Sequence, residues 1–220
     1  MINKLVPSIA EALAGIGSGS TILVSGFGDP GSPVALIQGL IDAGVKELTL
    51  VSNNGGVGRT SGIAALLAAG RVRKIVCSYP RSKGSVVLQE LYAAGRIELE
   101  LVPQGTLSER MRAGAAGLGG FYTPTAAGTE LSNGKETRRI DGRLHVFETP
   151  IKGDVALIRA HAADRWGNLI YRGAGRNYGP IMAAAAALTV VQVSHSLRED
   201  ALAPEQIVTP GIFVDRVVEV

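Results

Sequence analysis

Gly26-Phe27-Gly28-Asp29-Pro30-Gly31 matches the pattern G-x-G-x-x-G, between a stretch that reads as a strand and one that reads as a helix. Such a loop presents backbone N–H groups to a closely approaching ligand, beside a helix N-terminus of positive potential. Two features oppose a dinucleotide. That site needs a carboxylate for the ribose about 20 residues further on, at the end of the second strand, where this chain has Asn53-Asn54. Pro30 and Pro33 also stiffen the loop, and Pro33 suits the first helical position, where its missing N–H costs nothing. What remains is an anion or oxyanion loop, or a turn that needs glycine only for its backbone angles.

Ligands of open α/β sheets bind beyond the carboxyl ends of the strands. Those ends are Gly26 to Pro33, Ser52-Asn53-Asn54-Gly55-Gly56, Tyr79-Pro80 and Pro103-Gln104-Gly105-Thr106. All but the third are rich in glycine and amides, which donate and accept hydrogen bonds without carrying charge. A pocket lined this way suits a carbonyl or thioester that becomes negative transiently. Gln104 is the best side-chain donor, directly after a strand and before a helix; the alternative is an amide that caps that helix.

Other reactive side chains read as bland. Cys77 sits in the apolar run Arg73-Lys74-Ile75-Val76-Cys77, as a buried small hydrophobe would. Glu130 falls in a surface excursion, and Glu109 shares a helix with Arg110 and Arg112, which suits surface ion pairs. His145, His161 and His195 lack metal-ligand spacing, so no metal is expected. Arg176 can hold a carboxylate or a phosphate through its planar fork, or form a structural salt bridge.

These residues need elements to hold them. Helices are expected at Pro7 to Gly15, Pro33 to Ala43, Gly62 to Ala69 and Ser85 to Ala94. Strands are expected at Thr21 to Ser25, Glu47 to Ser52, Val72 to Ser78 and Ile97 to Val102. Gly44, Gly70 and Gly95 each follow a last helical turn, where a left-handed residue satisfies the final carbonyls. The alternation implies an α/β fold, an open, mostly parallel sheet with helices on both faces. After Gln104 the glycines of the stretch 112–120 predict a fraying helix and a loop. Between Glu130 and Thr149, Asp141-Gly142 predicts an antiparallel hairpin excursion. Asp154 to Ala160 restores a buried strand, with Asn168 to Tyr171 paired to it; Thr189 to Val193 forms another, and Phe213 to Val217 an edge strand.

With 220 residues, 46% of them hydrophobic, the chain can bury a full core, and residues 1–220 read as a single domain. The 22 basic residues exceed the 19 acidic ones by a formal +3, too diffusely for nucleic acid. No apolar run reaches the roughly 18 residues that span a bilayer, no signal peptide is visible, and one cysteine fits a reducing compartment, so a cytoplasmic location is expected.

The sequence resembles the A-type subunits of the family I coenzyme A transferases. The segments that carry this are Ser25 to Pro33, Val51-Ser52-Asn53-Asn54, Pro103 to Arg110, Phe121 to Thr125, Gly175-Arg176-Asn177-Tyr178 and Val208 to Val214. Gly134 to Gly142 and Asp164 to Leu169 look most like the members that act on 3-oxoadipate, with those for acetoacetate and other short 3-oxoacids close by. The resemblance implies a ping-pong exchange through a glutamyl-CoA thioester whose glutamate belongs to a B subunit. It also implies a heterotetramer of two A and two B chains, and coenzyme A as substrate with no further cofactor. It places Gln104 in an oxyanion hole and Gly26, Phe27, Gly28, Gly31, Pro33, Asn53, Asn54 and Arg176 around acyl-CoA and the 3-oxoacid. One departure stands out: Ser25 replaces a glycine the family usually has. The competing reading is a non-catalytic domain of related fold that binds acyl-CoA or a sugar phosphate, since fold alone does not fix function.

Overall fold

The computed structural model describes residues 2–81, 84–197 and 202–220. In chain order the elements are α1 (Ile9–Ala12), β1 (Thr21–Val24), α2 (Val34–Asp42), β2 (Leu48–Asn54), α3 (Gly62–Ala68), β3 (Val72–Tyr79), α4 (Val87–Ala93), β4 (Glu98–Leu101) and α5 (Gln104–Ala115). There follow β5 (Phe121–Thr123), β6 (Thr137–Ile140), β7 (Arg143–Glu148), β8 (Gly153–Asp164), β9 (Leu169–Ile170), α6 (Gly179–Ala185), β10 (Ala186–Leu197) and β11 (Arg216–Glu219). The main sheet runs β11-β10-β8-β1-β2-β3-β4 with every neighbouring pair parallel, and β9 lies antiparallel on β8.

Strand alternation sorts the core into two layers. Ile22, Val24, Leu48, Leu50, Ile75 and Cys77 point to one face, against Leu36, Leu40, Leu66 and Leu88 of α2, α3 and α4. Leu23, Val51, Val76, Ala156 and Ile158 point to the other, against Leu107 and Met111 of α5 and Met182 and Ala183 of α6. Each fully buried leucine or isoleucine contributes roughly 1.5–3 kcal/mol, which makes this double burial the main cause of the architecture. Cys77 is wholly buried, and loss of solvent pushes its thiol up to about 12. Gly44, Gly70 and Gly95 adopt φ of 72°, 65° and 65° after the helix ends, as expected.

Some boundaries differ from the sequence reading. α1 is one turn, capped by Ser8, whose side chain accepts from Glu11 N. β2 runs two residues further, because all seven of its residues are buried and Asn53 and Asn54 stay in the ladder. The edge strand starts at Arg216, since residues 211–213 form a 3-10 turn. Phe121–Thr123, expected in a loop, instead adds a strand to the 137–148 hairpin, giving a small antiparallel sheet β5-β7-β6. Arg110 does not join Glu109 on the surface. It turns inward, donating to Glu100 Oε1 at 2.8 Å and Thr149 O at 2.7 Å, while Glu109 pairs with Arg112. Among the described residues no helix is long and apolar enough to cross a membrane.

Candidate active site

Three strand-end segments converge. β2 delivers Asn53, 4% exposed, on the α5 and α6 side of the sheet. Helix α5 begins at Gln104 with Pro103 before it, so Gln104 sits in the first turn with no side-chain cap bond. Its Nε2 donates to Asn53 Oδ1 at 2.6 Å, and Tyr178 O–H, from the residue before α6, donates to the same oxygen at 3.3 Å. Two donors on Oδ1 fix which way the Asn53 amide points. Asn53 Nδ2 and the second N–H of Gln104 therefore remain donors with no partner among the described residues. Burial pushes the Tyr178 phenol up to about 12, so it stays a donor at physiological pH.

The glycine loop is held from the same side. Asn177 Oδ1 accepts from Gly26 N at 3.0 Å and Tyr178 N at 2.8 Å, while Asn177 Nδ2 donates to Pro30 O at 3.1 Å and Ala174 O at 2.9 Å. Gly31, at φ 75°, presses so closely that an added Cβ would stand 2.4 Å from Asn177 Nδ2 and 2.6 Å from Gly175 O. Ser25 does not intrude on the pocket: its hydroxyl donates to Gly31 O at 2.7 Å and accepts from Arg159 N at 3.2 Å, stapling the loop to the sheet. With the loop so held, Phe27 is left 53% exposed at the rim of a groove of about 330 Å³ that contains Gln104, Gly105, Ser108, Tyr178 and Ile181. No carboxylate lines that groove among the described residues.

Other expected site residues lie elsewhere. Asn54 points through the opposite face, where its Oδ1 accepts from Gly56 N at 2.9 Å in a small crevice with Ser32 and Ser61, because adjacent strand residues alternate. Gly28 borders the same crevice. Pro33 stands one residue before α2 rather than at its first position. The N-terminus of α2 is already satisfied: Gln192 Oε1, from buried β10, accepts from Ala35 N at 3.0 Å and Leu36 N at 3.2 Å. Those amides cannot serve an incoming anion. Arg176 is exposed on a 3-10 turn and influences Tyr171 rather than Gln104. Sequence reasoning passed over Asn177 and Tyr178 as site residues and missed Gln192, whose signal was a polar amide inside an apolar strand.

A parallel sheet with an uncharged amide cleft at its strand ends has the donors to stabilise a polarised carbonyl. The comparisons make this specific. A family model described as Coenzyme A transferase matches residues 6–220, so the chain belongs to the coenzyme A transferase family. It is 58% identical over 220 residues to the A-type chain of the 3-oxoadipate CoA-transferase of Pseudomonas putida, covering 100% of this chain and 95% of that one. It is 46% identical over 208 residues to the A-type chain of the succinyl-CoA:3-ketoacid coenzyme A transferase of Xanthomonas campestris, covering 94% and 85%. In fold it resembles an acyl-CoA transferase of E. coli O157:H7 (TM-score 0.85, 22% identity), covering 100% of this chain and 47% of that one. It also resembles glutaconate coenzyme A-transferase of Acidaminococcus fermentans (TM-score 0.83, 22% identity), covering 98% and 75%.

Proposed function

We propose that this chain is the A-type subunit of a heteromeric 3-oxoacid CoA-transferase that moves CoA from succinyl-CoA to a 3-oxoacid, with 3-oxoadipate as acceptor. The observation that carries the reading is the Gln104–Asn53 amide pair at the strand ends, in a chain that matches relatives bearing that activity in their names over 94–100% of its length. The groove's donors can stabilise a reacting oxygen, and the nucleophile, as the family resemblance implies, is a glutamate of a B subunit. Its glutamate carboxylate adds to the thioester carbonyl of succinyl-CoA. CoA thiolate leaves as a mixed anhydride forms, then attacks the glutamyl carbonyl and releases succinate. The resulting glutamyl-CoA thioester is attacked by the 3-oxoacid carboxylate, and the same two steps run in reverse order. In each tetrahedral stage the carbonyl oxygen carries negative charge, which Gln104 and Asn53 meet with preorganised N–H groups.

Coenzyme A is a substrate here, no further cofactor is required, and the working form is two A and two B chains in the cytoplasm. The test is to purify the chain alone and with its B subunit, then add succinyl-CoA and 3-oxoadipate. Turnover by the pair, negligible turnover by the single chain, and a hydroxylamine-sensitive thioester on a B-subunit glutamate are expected. A thioester mapping to a glutamate of this chain refutes the division of labour. Binding of acyl-CoA without any turnover by the pair favours the non-catalytic alternative.

A further inference from the structure

Behind the glycine loop, at the carboxyl ends of β8 and β10, lies a second cavity of about 440 Å³, within the usual range for small-molecule sites. Pro30 and Gly31 form one wall, so the loop whose Phe27 borders the Gln104 groove also borders this cavity. Besides Ala160 and Gly175, the rest of its lining carries basic or hydrogen-bonding side chains: Arg159, Arg172, His161, His195, Ser194 and Tyr171. No aspartate or glutamate lines it among the described residues. The two imidazoles stand edge to face with centroids 5.3 Å apart.

Like most basic side chains of this protein, Arg159 and Arg172 meet no carboxylate within 4 Å among the described residues, and these two share one cavity, so both are available to an incoming anion. Two arginines lining one cavity can both reach an anion there, and the guanidinium fork matches a carboxylate or phosphate in two-point geometry. Tyr171 brings no opposing charge: burial pushes its phenol up to about 12, and it shares a 2.8 Å hydrogen bond with the Thr209 hydroxyl. Arg159 is also tied to the loop, since its backbone N–H donates to Ser25 Oγ.

We infer that this cavity is an anion subsite, in which Arg159 and Arg172 hold an oxyanion group carried by a substrate at a distance from its reacting carbonyl. This rests on the transferase reading above. Two sources share the chemistry: the far carboxylate of a dicarboxylic 3-oxoacid, and a phosphate of coenzyme A.

The experiment uses the assembled pair and compares Arg159→Met, Arg172→Met and the double variant. Each is assayed with succinyl-CoA and either 3-oxoadipate or acetoacetate, which lacks a second carboxylate. A lost charge-assisted contact at a half-open site raises KM by about tenfold per arginine. If the rise is confined to 3-oxoadipate, the site takes the carboxylate. If KM for succinyl-CoA rises with either acceptor, it takes the phosphate. If no KM in an assembled variant moves by more than roughly twofold, within the range of a surface charge change, the inference is overturned. A wild-type pair that transfers no CoA would fail the functional reading instead. Should the variants not assemble, phenylglyoxal labelling of the wild-type pair decides. Protection of Arg159 and Arg172 by adipate or pyrophosphate supports the subsite, and labelling indifferent to both overturns it.

Discussion

Gly31→Ala tests whether the loop clamp sets the geometry of the site. Its new Cβ meets Gly175 O at 2.6 Å, and reaching ordinary contact at 3.4 Å means a separation of about 0.8 Å in a close-packed region. The second obstacle, Asn177 Nδ2 at 2.4 Å, is no loose side-chain end, because two carbonyls accept from it. Alanine at φ 75° adds roughly 1–2 kcal/mol of backbone strain. For a chain of this size that lowers Tm by about 2–8 °C. The catalytic effect should be larger in proportion. Moving Asn177 loosens Gly26 on one side and Tyr178 on the other, and Tyr178 is one of the two donors that orient Asn53. A shift approaching 1 Å at a positioning group costs on the order of 10²-fold in turnover. The assay is steady-state transfer from succinyl-CoA by the assembled pair, alongside thermal melting. An assembled Gly31→Ala pair with kcat within roughly twofold of wild type would show that the loop and the amide pair are mechanically independent, and the coupling argued from Asn177 would be wrong.

Further expectations concern single contacts. Gln104→Ala should lower kcat by about 10²-fold or more while co-purification with the B subunit is unaffected; undiminished turnover removes Gln104 from the chemistry. Tyr178→Phe leaves Asn53 Oδ1 with one donor, and the loss of one modest hydrogen bond predicts a turnover drop of about 2- to 12-fold. Arg110→Ala strips charge from beside Glu148, which is 3% exposed, and cuts the link from α5 to Glu100 and Thr149. Because Lys135 still pairs with Glu148 and Lys74 with Glu100, the cost is that of lost charge-assisted hydrogen bonds, about 1.5–3 kcal/mol, to be read by denaturant melting. Glu100 is itself pH-sensitive. Burial raises its pKa, but bonds to Arg110 and Lys74 outweigh that and hold it below its ordinary 4.5. Its contribution to stability is therefore present above that value and lost as pH falls through the lower folded value, so acid melting curves should flatten in Glu100→Gln.

What was legible in the sequence was whatever local chemistry dictates. Helix-ending glycines, β-branched runs and the Asp141-Gly142 turn, with φ of 48° and 75°, each act over a few residues, so the succession of elements along the chain followed from them, while the order of strands in the sheet did not. Gln104 stood out locally as an amide between a strand and a helix, a position that a helix cap fitted equally well before the family resemblance was considered. Relations across the fold were hidden. Asn53 and Asn54 look equivalent as neighbours, yet strand alternation sends one to Gln104 and the other to Gly56. The positive helix end behind the glycine loop looked open until Gln192, 157 residues away from Ala35, filled it. The Asp164 to Asn168 segment, part of what resembled relatives acting on 3-oxoadipate, turns out to be a partly buried, internally hydrogen-bonded turn. Asp164 accepts from Trp166 N, Asn168 N and Asn168 Nδ2, and Asn168 Oδ1 accepts from Gly211 N. A resemblance carried by such a turn reports shared architecture, so substrate choice has to be sought in side chains that face open space. Arg159 and Arg172 are of that kind, and they were unremarkable as letters because a cavity is made by β8, β10 and the glycine loop together.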